Sequence, residues 1–127
     1  MKKLAIIIPV YNEEESIEKV LNDWKRILQK KFFDIIIIND GSTDNTKLIL
    51  SKIKKKNSHI EIINKPNGGH GESVFYGYKY AIKKKYKFIF QVDSDDQFSA
   101  SDFKKIWRLR NKTHDLIIGN RENRNRK

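Results

Sequence analysis

The sequence has no cysteine. Disulfides, thiolate metal sites and cysteine nucleophiles are therefore excluded, and the chain suits a reducing compartment. No stretch approaches the ~20 apolar residues of a membrane-spanning helix. Met1-Lys2-Lys3 runs straight into an apolar block without a small-residue cleavage site, so no signal peptide is expected. The familiar phosphate motifs are missing too. There is no G-x-x-x-x-G-K-[ST], and the glycines around His70 do not spell G-x-G-x-x-G, so neither a P-loop nor a dinucleotide fingerprint is supported. No G-x-S-x-G elbow occurs. The histidines, His59, His70 and His114, are too scattered for a zinc site.

What is present fits one domain of 127 residues. Charged residues make up 34% and hydrophobic ones 38%, but the apolar residues are gathered into blocks, which argues against disorder. The net charge of +11 favours anionic partners: nucleic acid, lipid headgroups or phosphate-bearing small molecules. Runs such as Lys54-Lys55-Lys56 and Lys83-Lys84-Lys85 fall at expected helix ends, where a solvated face is the ordinary explanation.

Along the chain, apolar blocks alternate with segments of helical spacing. Leu4–Val10 reads as a buried strand. Asn12 before Glu13-Glu14-Glu15 reads as an N-cap with a capping-box-like start, opening a helix to about Lys30 with Ile17, Val20, Leu21, Trp24, Ile27 and Leu28 on its apolar face. A second strand, Ile35-Ile36-Ile37-Ile38, ends at Asn39-Asp40-Gly41-Ser42-Thr43-Asp44, a turn and helix cap. Leu48, Ile49, Leu50 and Ile53 mark the next helix. A short strand over residues 60–63 follows, then a loop, Asn64-Lys65-Pro66-Asn67-Gly68-Gly69-His70-Gly71, whose glycines permit close backbone approach to a ligand. Val74, Tyr78, Ala81 and Ile82 mark a third helix. The run Phe88-Ile89-Phe90-Gln91-Val92 then stops at Asp93-Ser94-Asp95-Asp96. A fourth helix is expected around Phe103, Ile106, Trp107 and Arg110, and a fifth strand at Asp115-Leu116-Ile117-Ile118. This alternation implies an α/β fold in three layers, a mainly parallel sheet with helices on both faces.

In such a sheet the strand ends lie along one edge, where open α/β sheets bind ligands. Acids stand at three of these ends in a chain that is otherwise strongly basic. Carboxylates brought together need a cation or raised pKa values to offset them. A hard divalent cation takes oxygen ligands and shares them with substrate phosphates, so a metal bound to a nucleotide diphosphate satisfies both needs. His70 can reach a phosphate or sugar, although an uninvolved loop histidine is the commoner case.

Three segments in order, Ile8-Pro9-Val10-Tyr11-Asn12-Glu13-Glu14, Asn39-Asp40-Gly41-Ser42-Thr43-Asp44 and Gln91-Val92-Asp93-Ser94-Asp95, resemble family 2 glycosyltransferases of the GT-A fold, a Rossmann-like nucleotide-diphospho-sugar transferase fold. Val92 to Phe98, with Gly119-Asn120-Arg121 downstream, is most similar to the branch that includes polyprenyl-phosphate glycosyltransferases. The resemblance covers nearly all of residues 1–127, as one nucleotide-sugar-binding domain. It implies that Pro9, Tyr11 and Glu13 line the nucleotide pocket, that Asp40 contacts base or ribose, and that Gly68 and Ser94 lie on the donor. It implies that Asp93 and Asp95 form a D-x-D holding Mg²⁺ or Mn²⁺, with Gln97 on the metal side. Asp95 and Arg121 would act in catalysis, Arg121 by facing the phosphates.

The implied activity is metal-dependent, inverting transfer of a sugar from a UDP- or GDP-linked donor to a polyprenyl phosphate or a glycan. The implied place is the cytoplasm or its membrane face. Members of the family usually continue well past this length, with acceptor-side helices, a general base and membrane-associating segments, so membrane contact would come through those further segments. No general base is identified among Asp96, Asp102 and Asp115; a phosphate acceptor would need no strong one. Two other readings compete: the same fold binding nucleotide sugar without turnover, and a basic nucleic-acid-binding domain, which lacks any recognition motif. Nucleotidyl transfer would want a basic loop where Tyr11-Asn12-Glu13-Glu14 is acidic.

Overall fold

The computed structural model describes residues 4–27 and 33–94. The expected fourth helix and fifth strand, with Asp95, Gln97 and Arg121, lie outside the described residues. Four strands, β1 (Leu4–Val10), β2 (Phe33–Asp40), β3 (Ile60–Lys65) and β4 (Phe88–Gln91), alternate with α1 (Ile17–Ile27), α2 (Thr46–Lys55) and α3 (His70–Lys83). The sheet order is β3-β2-β1-β4, and every pairing is parallel.

The order of the strands decides which face each helix covers. From β1 the chain steps outward to β2 and then β3. It returns across β1 to place β4 on the other side. Right-handed crossovers in opposite directions put their helices on opposite faces. Accordingly α1 and α2 pack on one face, where Ile17, Val20, Leu21, Trp24 and Leu50 meet Leu4, Ile6, Ile8, Ile35, Ile37 and Phe90. On the other face Ala81 of α3 joins Ala5, Ile7, Ile36, Ile38 and Ile89. The alternation of strand side chains between two faces accounts for both clusters. β1 and β2 are buried along their whole length because both faces are covered, which is why their sequences run apolar without alternation.

α3 departs from the sequence expectation. Its buried stripe is Ser73, Gly77 and Ala81. Ile82, expected on the packed face, is 65% exposed. Gly77 is the reason for the difference. A Cβ there would fall inside contact distance of Ile7 Cγ2, with Ile7 Cδ1 at 3.3 Å and Ile38 Cγ1 at 3.5 Å. The helix sits closest to the sheet through its small residues, with Tyr78 and Tyr80 packed beside them against the same cluster.

The start of α1 is a second correction. Asn12 does not cap it; the helix begins at Ile17, after a turn in which Glu13 O accepts from Ser16 N and Ile17 N. Asn12 has a φ of 52° and turns toward the loop after β2. Its Oδ1 accepts from Thr43 N at 2.7 Å and Asp44 N at 3.2 Å, and its own N–H donates to Ser42 Oγ. Asn tolerates the left-handed region, so it fits this position for a different reason than capping. Tertiary bonding outweighed the local pattern.

Candidate functional site

Beyond the carboxyl ends of β1, β2 and β4 lies a cleft of about 280 Å³. Pro9, Val10, Tyr11 and Glu13 come to it from β1, Asp40 from β2, Asn67, Gly69, His70 and Ser73 from the turn and first coil of α3, and Asp93 and Ser94 from the end of β4. It sits where the winding of the sheet reverses, between β1 and β4, the position at which such sheets take ligands.

Pro9 marks where the cleft begins. Ile7 O accepts from Val92 N at 3.0 Å, so Ile7 faces β4, and Pro9, two residues on, faces the same side. Pairing of β1 with β4 stops at Ile7. A proline, which has no N–H to give, therefore costs no ladder hydrogen bond there.

The loops after β1 and β2 are stitched into one layer. Besides the Asn12 bonds, Glu13 N donates to the buried Thr46 Oγ1 at 2.9 Å and Asn45 N to Glu14 Oε1 at 2.8 Å. The Asp44 carboxylate accepts from Thr46 N at 2.9 Å and Glu14 N at 3.4 Å, closing the turn before α2, whose N-cap residue, Asn45, makes no side-chain cap bond. Burial pushes the Asp44 carboxyl up, and these hydrogen bonds outweigh it and hold it below the usual range.

Asp40 ends β2 and is 4% exposed. Its Oδ1 accepts from Lys65 Nζ at 2.7 Å and Gly68 N at 2.8 Å; its Oδ2 accepts from Gly69 N at 2.9 Å and Asn67 Nδ2 at 3.3 Å. Burial raises its pKa, but Lys65 and the two amides more than offset this, and the carboxyl stays below its ordinary value. Lys65 is held in turn by Pro66 O at 2.7 Å and by the Glu72 carboxylate. Hydrogen bonds to Asp40 and then Glu72 raise its pKa.

Across the cleft, Asp93 Oδ1 accepts from Gln91 Nε2 at 3.1 Å and lies 3.5 Å from His70 Nε2. Ser73 Oγ is buried and has no hydrogen-bond partner among the described residues.

Six residues singled out from the sequence, Pro9, Tyr11, Glu13, Asp40, Asp93 and Ser94, thus line one cleft. Gly68 is not among the lining residues; its N–H is turned inward to Asp40. Asp95, Gln97 and Arg121 lie outside the described residues. Sequence reasoning passed over Lys65, Asn67 and Ser73. No local signal marks the first; its place beside Asp40 comes from the strand register. Among the described residues no cluster of three acidic or histidine side chains forms a complete metal site. Asp93 supplies one carboxylate of the oxygen-donor kind that a hard cation takes, at the cleft. Among the described residues, no helix is long and apolar enough to cross a membrane.

A family model described as glycosyl transferase family 2 matches residues 5–127. An uncharacterized glycosyltransferase of Mycoplasma pneumoniae, the MG025 homolog, is 37% identical over 117 residues, covering 90% of this chain and 38% of that protein. The dolichyl-phosphate beta-glucosyltransferase ALG5A of Trichomonas vaginalis is 30% identical over 131 residues, covering 93% of this chain and 40% of that protein. Among solved structures, S. aureus TarS 1-349 in complex with UDP superposes with a TM-score of 0.71 at 26% identity, over 87% of this chain and 32% of that one. The chain therefore spans less than half the length of these relatives.

Proposed function

The chain belongs to glycosyl transferase family 2, and from that premise we propose that its cleft binds the nucleoside diphosphate of a nucleotide-sugar donor, for metal-dependent, inverting transfer of the sugar to an acceptor. The observation that carries the reading is the convergence of Tyr11, Glu13, Asp40, Asp93 and Ser94 on one cleft at the switch point of the sheet. UDP is the favoured donor nucleotide, because the TarS structure, which shares the fold and 26% of residues, is a UDP complex. A polyprenyl phosphate is the favoured acceptor class, on the likeness to a dolichyl-phosphate glucosyltransferase.

The residues divide the work by position. Tyr11, 47% exposed at the mouth, presents a ring on which a base can stack. Asp93, with Asp95 and Gln97, would hold Mg²⁺ or Mn²⁺ on the donor diphosphate. When bound, such a cation neutralises charge on the departing diphosphate. Arg121 would add forked contacts to phosphate oxygens. The His70 ring stands beside Asp93 on the cleft wall, its Nε2 3.5 Å from Asp93 Oδ1.

Calorimetric titration with UDP and GDP, each with and without Mn²⁺, tests the proposal. Mn²⁺-dependent binding of UDP is expected. Absence of binding by either diphosphate to the folded chain would refute it.

A further inference from the structure

Ser73 is buried in the seat of α3, and its hydroxyl has no hydrogen-bond partner among the described residues. A buried polar group left unpaired is costly, and such groups are rare in folded proteins. Nothing in the packing asks for this one. The buried stripe of α3 runs Ser73, Gly77, Ala81, and alanine, the better helix former, already serves the last of these places. A helical serine can return its hydroxyl to the carbonyl four residues back. Here Gly69 O accepts from Ser73 N at 3.1 Å, and the hydroxyl makes no such bond.

The register of helix on sheet says where the hydroxyl stands. Because α3 returns from the carboxyl end of β3 to the start of β4, it runs against the strands. Gly77 is seated against Ile7 of β1 and Ile38 of β2. Four residues back along a helix and two residues on along a strand cover nearly the same distance, about 6 Å. Ser73 is therefore level with Pro9 and Asp40, and all three line the cleft. This is the β1–β2 half of the cleft, shared with Tyr11; Asp93 stands on the other side of β1, at the end of β4. The donors beside Ser73 are taken. Gly68 N, Gly69 N and Asn67 Nδ2 donate to Asp40, and Pro9 has no N–H. The Ser73 hydroxyl can donate to a ligand without breaking a bond within the protein.

We propose that Ser73 Oγ donates a hydrogen bond to a carbonyl oxygen of the donor's uracil base, a bond for which the free protein keeps an unpaired hydroxyl at some loss of stability. This rests on the reading of the cleft as a UDP-donor site. A diphosphate held by a metal at Asp93 leaves its base toward Tyr11, in the half of the cleft where Ser73 stands. The carbonyl oxygens of uracil only accept, and a serine hydroxyl supplies the donor they lack.

The test is calorimetric titration, with Mn²⁺, of wild type and Ser73→Ala with UDP and with its two thio analogues, in which sulfur replaces one or the other uracil carbonyl oxygen. The Tm of each protein without nucleotide is measured beside it. Ser73→Ala is expected to bind UDP about fivefold more weakly, the factor of one ordinary hydrogen bond. Its Tm without nucleotide should be unchanged or higher, because an unpaired buried hydroxyl has been removed. Sulfur is a poor acceptor, so one thio analogue should bind wild type more weakly than UDP does. That analogue should lose nothing further in Ser73→Ala, since two changes at one bond do not add. A serine with a merely structural role would show no such coupling. Wild-type affinity for UDP in Ser73→Ala, additive losses with both analogues, or a clear fall in Tm without nucleotide would each overturn the proposal. If wild type itself binds no UDP, the donor-site reading falls first and this proposal falls with it.

Discussion

Replacing Gly77 by alanine should destabilise this protein, although alanine is the better helix former. Two terms oppose each other. In a helix interior alanine gains about 0.8–1 kcal/mol over glycine. Against that, the new methyl would stand inside contact distance of Ile7 Cγ2 and at 3.3 Å from Ile7 Cδ1. Ile7 is fully buried in the central strand, and its β-branched side chain has little rotamer freedom with which to move away. The remaining relief is to lift α3 off the sheet, and overpacking of that kind costs about 1–3 kcal/mol. The contact is at the severe end of that range, so the net loss should be about 1–2 kcal/mol, seen as a fall in Tm of about 4–8 °C. Gly71 is the internal control. It lies in the first turn of the same helix, is exposed, and has no atom within 4 Å of the place a methyl group would take. Gly71→Ala should raise Tm slightly, by the gain of about half a kcal/mol or more that such replacements give. Differential scanning calorimetry of both variants checks the pair. A higher Tm for Gly77→Ala would refute the close seating of α3, and with it the placement of His70 and Ser73 in the cleft.

Asn12→Ala loses hydrogen bonds to Thr43 N and Asp44 N and forces a left-handed φ on a residue that resists it; chemical denaturation should show a loss of about 1–3 kcal/mol, with Asn12→Gly losing less. Tyr86→Phe removes the hydroxyl that donates to the buried Asp34 carboxylate; it should cost about 1–2 kcal/mol by the same assay, and a neutral result would mean the bond contributes nothing. Asp93→Asn should abolish the strengthening of UDP binding by Mn²⁺ in calorimetry while the fold, followed by circular dichroism, is unchanged. The Asp40–Lys65 pair predicts a stability plateau with two edges. The depressed Asp40 carboxyl contributes stability above its ordinary value of 3.8 that is lost as pH falls through the folded value. The raised Lys65 ammonium contributes stability below its ordinary 10.5 that is lost as pH rises through the folded value. In Asp40→Asn the acid edge should shrink, read from Tm against pH.

The strands were legible because burial on both faces writes itself as continuous apolar sequence, as in Ala5-Ile6-Ile7-Ile8 and Ile35-Ile36-Ile37-Ile38. The layering followed from the alternation of element types. The strand ends therefore pointed to the cleft, and Tyr11, Glu13, Asp40 and Asp93 meet there. What escaped the sequence is of another kind. Asn12 has the spacing of a helix cap, and only contacts 31 residues away show that it serves the next loop instead. Ile82 fits the helical stripe of Tyr78 and Ala81, yet it stands exposed, because α3 is seated on Ile7 at Gly77 and turns that flank away from the sheet. Lys65 carries no local sign of burial; its partners, Asp40 and Glu72, stand on separate elements and are brought to it by the strand register and the turn of α3.

The neighbour relation between β1 and β4 also fixes when the cleft can exist during folding. Leu4 pairs with Phe88, a closure across 84 positions, whereas β1 with β2 and β2 with β3 close over far shorter spans. Contacts of high sequence separation carry a larger loop-closure cost and form slowly. A nascent chain that has reached residue 65 can pair its first three strands, yet it holds only one rim of the cleft. Its Ile7 edge stays open to other chains until the fourth strand arrives, so wrong pairing at that edge is open to nascent copies until residue 91 is in place.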